Sequence, residues 1–243
     1  MVHFGLVIFP GYEVLDAFGP TEVVHGLGHP MVNKDAANTQ LSIIGPSLEP
    51  VSSASAEGSP IKTRVGQTIV PTHTFDAPPE DIDVLIVPGG FGAGPKSLTG
   101  GAWEAKDVER IIQFLRDQYP KIKHLLTVCN GAGLAARAGI LDGHRATTNK
   151  QLWQLITATG PKTHWVAKAR WVVADNNKLW TSSGVSSGTD AMLALVDHIY
   201  GKNDQGILLG DVLKNGMEWN RAHDSGEDPF AALANAEDVL PQA

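Results

Sequence analysis

Cys129 has the most chemistry to offer, as the single cysteine in a chain of 243 residues. It closes the apolar run Leu125-Leu126-Thr127-Val128, and Asn130-Gly131-Ala132-Gly133 and the helix formers Leu134-Ala135-Ala136 follow at once. An apolar run that gives way to small residues predicts a buried strand turning sharply into a helix, with the thiol at the tip of the turn. At that place the helix amino terminus is expected to favour thiolate over thiol. The competing reading is a buried, inert cysteine that packs as a small hydrophobe.

An exposed thiol needs elements that bring other groups to it. Residues 3–9 read as a strand buried on both faces, ended by Pro10-Gly11. Gly19-Pro20 is predicted to begin the next helix, which leaves Asp16 in the loop between. A short strand is predicted at 41–45, a Ser/Pro/Gly-rich surface excursion with a small hairpin at 46–64, and a minor strand at 68–71. Residues 83–87 form a clearer strand, followed by Pro88-Gly89-Gly90-Phe91-Gly92. Those glycines let backbone amides approach a ligand, although an ordinary turn has the same composition. The Gly-Lys-Ser/Thr ending of a phosphate-binding loop is absent.

Val108, Ile111, Ile112 and Leu115 mark one face of a helix over residues 104–117. An extended segment at 145–149, a helix at 151–158, two strands at 169–174 and 179–183 around a polar turn, and helices at 190–200 and 207–213 complete the pattern. Strands alternating with helices imply an α/β fold with a mainly parallel sheet and right-handed crossovers. In such a sheet the loops at the carboxyl ends of the strands line the binding crevice, so Asp16, Gly89-Gly90 and Cys129-Asn130 should meet at one edge. One domain is expected over residues 1–243, with a core at about 3–201 and a C-terminal extension at 202–243 whose last part wraps the surface or joins a partner.

Hydrophobic residues at 42% and charged residues at 19% are those of a folded chain rather than a disordered one. A net charge of -7 leaves no general basic surface for a phosphate backbone, so no nucleic-acid partner is expected. One cysteine allows no internal disulfide, which agrees with a reducing, cytoplasmic setting. The apolar run at the amino terminus is too short to span a bilayer, so no membrane association is expected. His25 and His29 stand at the helical i, i+4 spacing of metal ligands, but Gly26 and Gly28 weaken that helix and no third ligand is evident, so no metal site is expected. Trp153, Trp165, Trp171 and Trp180 read as core or interface residues.

Phe9-Pro10-Gly11 with Leu15-Asp16 and Gly19-Pro20-Thr21-Glu22, then Pro88-Gly89-Gly90, Val128-Cys129-Asn130-Gly131, Ala146-Thr147-Thr148 and Ser183-Gly184-Val185-Ser186-Ser187-Gly188, together resemble the DJ-1/PfpI superfamily. Within it they look most like the isonitrile hydratase-like branch and its fungal members. The resemblance runs from about residue 3 to residue 201. It implies a flavodoxin-like, class I glutamine amidotransferase-like sandwich with helices on both faces of the sheet. Protease-like and some glyoxalase-like relatives carry His directly after the cysteine, where this chain has Asn130. Others carry His after the Ala-Thr-Thr segment, where it has Asn149. A Cys/His proton relay therefore lacks its members.

What the resemblance implies instead is Cys129 as nucleophile and Asp16 as the acidic residue beside it, acting as general acid and then base. Backbone amides around Gly89, Gly90 and Asn130 would form an anion pocket, unless Asn130 merely starts the helix, with Thr148 and Asn149 either facing it from a neighbouring loop or forming a satisfied polar strand end. It further implies a homodimer, a small-molecule substrate, and chemistry that needs neither metal nor organic cofactor. The reaction suggested is hydration of an isonitrile to an N-substituted formamide. The alternatives are glyoxalase-like conversion of a 2-oxoaldehyde, and a redox-sensing or chaperone-like homologue without turnover.

Overall fold

The computed structural model describes residues 2–33, 38–54, 65–94 and 105–242. In chain order the first half runs β1 (Val2–Val7), α1 (Val14–Leu27), β2 (Thr39–Gly45), β3 (Val51–Ser52), β4 (Thr68–Ile69), β5 (His73–Thr74) and β6 (Val84–Val87). The second half runs α2 (Ala105–Gln118), β7 (His124–Thr127), α3 (Gly131–Arg137), β8 (Arg145–Ala146), α4 (Trp153–Thr157), β9 (His164–Trp165), β10 (Trp171–Ala174), β11 (Leu179–Ser182), α5 (Ser187–Tyr200), α6 (Leu209–Gly216) and α7 (Phe230–Leu233).

A seven-stranded sheet in the order β10-β11-β7-β6-β1-β2-β5 forms the centre. Every neighbouring pair is parallel except β10 and β11, which flank the polar turn at Asp175-Asn176-Asn177. The middle strands are apolar along their length because both faces are covered: Phe4, Leu6, Leu85, Ile86, Leu125 and Leu126 are all buried. From β1 the chain crosses to β2 on one side, whereas from β6 it crosses to β7 on the other. With right-handed crossovers, α1 and α2 fall on opposite faces. Accordingly α1, α5 and α6 pack on one another, and α2, α3 and α4 form the other layer. The strand order reverses between β1 and β6, and a crevice opens there at the carboxyl ends.

The predicted α2 face is the one that packs, with Val108, Ile111, Ile112 and Leu115 buried. Of the predicted hairpin, residues 55–64 lie outside the described residues; the part described is β3, which pairs antiparallel with β4. Of the predicted extended segment 145–149, only Arg145–Ala146 joins a ladder, paired with β9 apart from the main sheet.

The first helix corrects the sequence reading. It begins at Val14, not at Gly19-Pro20, and Pro20 lies inside it. A proline beyond the first turn forfeits a hydrogen bond, here the one that the Asp16 carbonyl would accept. Tertiary contacts outweigh that loss: the Glu13 amide donates to Gly89 O at 2.8 Å, and Ala17, Val23, Val24 and Leu27 are buried against the body. Asp16 therefore projects from the first turn of α1 rather than from a loop. His29 lies beyond the end of α1, so it does not share a helical face with His25.

The segment after α6 wraps back over the molecule. Val239 and Trp165 exchange backbone hydrogen bonds, Trp153 Nε1 donates to Glu237 O at 2.8 Å, and Asp228 and Ala231 are buried. The four tryptophans read as packing residues are all in the interior. Among the described residues no helix is long and apolar enough to cross a membrane.

Candidate active site

The turn from β7 into α3 holds Cys129 at φ +57°, the left-handed region that an L-residue enters only under constraint. Three hydrogen bonds impose it. The Cys129 amide donates to Ser183 O at 3.0 Å, the Val128 amide donates to Val87 O at 2.9 Å, and Thr148 Oγ1 donates to Cys129 O at 2.8 Å. The small residues after the thiol are required by space: a Cβ at Gly131 would stand 2.6 Å from Val87 O and 2.7 Å from Pro88 O. The strand-to-helix elbow predicted from residues 125–136 is thus present, with the thiol 5% exposed at its tip.

Asp16 comes from the adjacent α1 and is fully buried. Its Oδ2 accepts the Gly89 amide at 2.8 Å. The Cys129 thiol is a hydrogen-bond neighbour of the carboxyl, and Oδ1 is buried with no partner of regular hydrogen-bond geometry. Burial pushes the Asp16 carboxyl well above the usual range and the nearby Glu13 adds to this, while the Gly89 amide and the thiol pull it back in part.

The same burial pushes the Cys129 thiol well up, and the Asp16 charge raises it further. The Asn130 amide, the Val185 amide and the Asn149 side chain favour the thiolate but are outweighed. This corrects the expectation of a thiolate stabilised at the helix terminus. In a buried setting the desolvation of sulfur and a neighbouring carboxylate exceed the effect of one turn of helix. Burial thus shifts both groups towards their protonated forms.

The predicted anion pocket is also rearranged. The Gly89 amide is spent on Asp16, and the Gly90 amide donates to Asn130 Oδ1 at 2.6 Å while Asn130 Nδ2 donates back to Gly90 O at 2.8 Å. Neither glycine amide is free for a ligand. The Asn130 side chain acts as a clamp on the glycine loop, and only its backbone amide faces the sulfur. Thr148 is buried behind the elbow and holds it rather than facing the cleft. Asn149 does face it: Oδ1 accepts the Leu152 amide at 3.0 Å, which leaves its Nδ2 for the thiol. Val185 was not singled out from the sequence as a site residue, although it stands inside the quoted Ser183–Gly188 motif; the structure holds it at φ +24°.

A cleft of about 180 Å³ opens over Cys129, walled by Phe91, Leu152, Val185, Asn149 and Glu13 among others. None of the four buried tryptophans and no histidine lines it. Among the described residues, no group of three or more His, Cys, Asp or Glu side chains is arranged to hold a metal ion. The site can offer a thiol, a proton carrier beside it, and donors aimed at the sulfur.

The sequence model of the DJ-1/PfpI family matches residues 5–198. The isonitrile hydratase of Pseudomonas putida is 29% identical over 200 residues, covering 82% of this chain and 73% of that protein. The HTH-type transcriptional regulator GbdR of Pseudomonas aeruginosa is 28% identical over 148 residues, which are 61% of this chain and 36% of the regulator. Among solved structures, a THiJ/PfpI family protein from Pseudomonas syringae superposes with a TM-score of 0.65 at 24% identity, covering 97% of this chain and 84% of that one. The likeness confirms the flavodoxin-like, class I glutamine amidotransferase-like fold.

Proposed function

The chain belongs to the DJ-1/PfpI family, and from that premise we propose that it is a cysteine-dependent hydratase that adds water to a small isonitrile to give an N-substituted formamide. The observation that carries the reading is the pair itself: one thiol and one carboxyl, buried side by side, both inclined to keep a proton, with no histidine in the cleft. Similarity to the isonitrile hydratase of Pseudomonas putida supports it.

An isonitrile carbon has a lone pair and needs a proton as much as it needs a nucleophile. A protonated pair supplies both. Asp16 gives its proton to the isonitrile carbon as Sγ bonds to the same carbon, and takes up the thiol proton, leaving an S-thioformimidate. Water then adds to that carbon; its proton goes to Asp16, which delivers one to the imine nitrogen. In the last step the C–S bond breaks, the hydroxyl proton returns to sulfur through Asp16, and the formamide leaves. Substrate and water are consumed in equal number, and the enzyme regains both protons. Negative charge gathers on sulfur as the C–S bond breaks, and there the Asn130 and Val185 amides and the Asn149 side chain lower the barrier.

The test is to incubate the full chain with cyclohexyl and phenyl isonitriles and measure formamide, with Cys129→Ala as control. Formamide is expected with the native protein, and activity is expected to fall to background in Cys129→Ala with the fold intact. Folded native protein that forms none from either substrate, or equal turnover by the alanine variant, would overturn the reading.

A further inference from the structure

We propose that the cleft selects electrophiles bearing a positively charged group, with Glu13 as the counter-charge; the inference rests on reading Cys129 as the residue that meets the substrate. Of the described side chains lining the cleft, Glu13 is the one that carries a charge. It is half-buried on the wall, with its backbone fixed by the bond from its amide to Gly89 O at 2.8 Å. Among the described residues its carboxylate has neither a hydrogen bond nor an ion pair. With no described cation paired to it, this carboxylate is left to attract one that enters the cleft. Phe91 and Leu152 supply apolar walls, and an aromatic side chain beside a carboxylate suits an alkylammonium group.

Two further observations point the same way. Glu13 acts on Asp16 through space, holding that carboxyl up, so the field of Glu13 reaches the reacting pair. A cation placed between them would offset that field and ease formation of thiolate at Cys129. The chain as a whole carries a net charge of -7, which disfavours anionic substrates at the mouth. The cleft of about 180 Å³ has room for a small substrate.

The test uses the thiol as a reporter and does not depend on hydration. Cys129 is the only cysteine, so every methanethiosulfonate modification reports on this site. Rates with the 2-aminoethyl (cationic), ethyl (neutral) and 2-sulfonatoethyl (anionic) reagents are measured at low salt, each normalised to its rate with free 2-mercaptoethanol. The native protein is expected to favour the cationic over the neutral reagent by on the order of tenfold, with the anionic reagent slowest, and added salt should narrow the spread. Glu13→Gln should reduce the cationic-to-neutral ratio to about one, while Glu22→Gln, which removes a charge from the exposed side of α1, should preserve it. Taking the ratio within each variant cancels any change in the thiol itself. An equal ratio in native and Glu13→Gln protein overturns the proposal, and so do equal normalised rates in the native protein, which needs no variant to fold. Charge selection through Glu13 in a protein that hydrates no isonitrile would sustain this inference and remove the hydratase reading. Formamide production without charge selection would do the reverse.

Discussion

At the scale of residues, the site is two buried acids, of which the carboxylate of Asp16 opposes ionisation of Cys129. Asp16 stays protonated above the usual carboxyl range and Cys129 above the usual thiol range, burial being the larger cause in each. Asp16→Asn therefore has three expected effects. Formamide turnover should fall by about a hundredfold or more, the scale of a lost general acid-base. The pH midpoint for alkylation of Cys129 by iodoacetamide should move down, because a source of negative charge beside the sulfur is gone. The third effect is on stability. A carboxyl whose folded pKa lies above its unfolded value is most favourable to the fold at low pH, and that contribution is lost as pH rises from the ordinary carboxyl range towards the folded value. At pH 7 the native Asp16 thus costs stability, and Asp16→Asn should melt about 2–4 °C higher for each ~1 kcal/mol relieved, the gain shrinking towards pH 4 in thermal melts. A lower melting point at pH 7 would mean that the carboxylate is stabilised where it sits. Sequence alone brought both acids to one edge of the sheet, Cys129 by the elbow pattern and Asp16 by its place after the first strand. It could not weigh a dipole that favours thiolate against a desolvation that opposes it, since burial depends on what covers the turn.

At the scale of elements, the site is built where three strand ends release their chains. The glycines after β6 were legible as a point of close approach, but their use was not. Gly90 sits at φ +125°, and a Cβ there would meet Glu13 N and Gly11 O at 2.4 Å each, so the loop packs directly on the start of α1. Its peptide is then gripped by Asn130 in a reciprocal pair of hydrogen bonds. Nothing in the spacing of residues 90 and 130 encodes that pairing; it follows from β6 and β7 lying side by side. Pro20 misled for a related reason, because the local cost of a proline in a helix was outweighed by burial that only the folded chain supplies. Asn130→Ala should strand the Gly90 amide and carbonyl together. A loss of about 2–3 kcal/mol is expected from urea unfolding, with turnover reduced as the cleft wall loosens. Unchanged stability would mean that water takes over both groups and that the clamp contributes nothing to the fold.

At the scale of the whole molecule, the reversal of strand order between β1 and β6 places the cleft, and alternating strand and helix patterns were enough to foresee it. The C-terminal stretch was less legible, because its ties to the body are polar pairs scattered along the sequence. Asp190 pairs with Arg170 at 2.7 Å and accepts Trp219 Nε1 at 2.8 Å, while Arg221 reaches Asp197 at 2.6 Å and Asp211 at 3.0 Å. Lys150 is buried, with its pKa brought down to about 8 by desolvation. It donates to Thr147 Oγ1 at 2.6 Å and Thr148 O at 3.2 Å, and faces Asp228 Oδ2 at 3.6 Å. Thr148 in turn supports the elbow carbonyl, so the tail is joined to Cys129 through two residues. Asp228→Asn leaves the buried ammonium without its counter-charge, and a loss of about 3 kcal/mol is expected in chemical unfolding, the scale of breaking one side of a buried pair. A chain ending at Gly201 loses far more: Leu213, which packs against Gly26, the Arg221 pairs and the partner of Lys150 all go at once. That truncated chain is expected to be insoluble, or to melt more than about 10 °C below the full chain, since several such losses of a few kcal/mol each act together. A soluble truncation with an unchanged melting point would make residues 202–243 an appendage. An insoluble one would make them a structural part of the site they never touch.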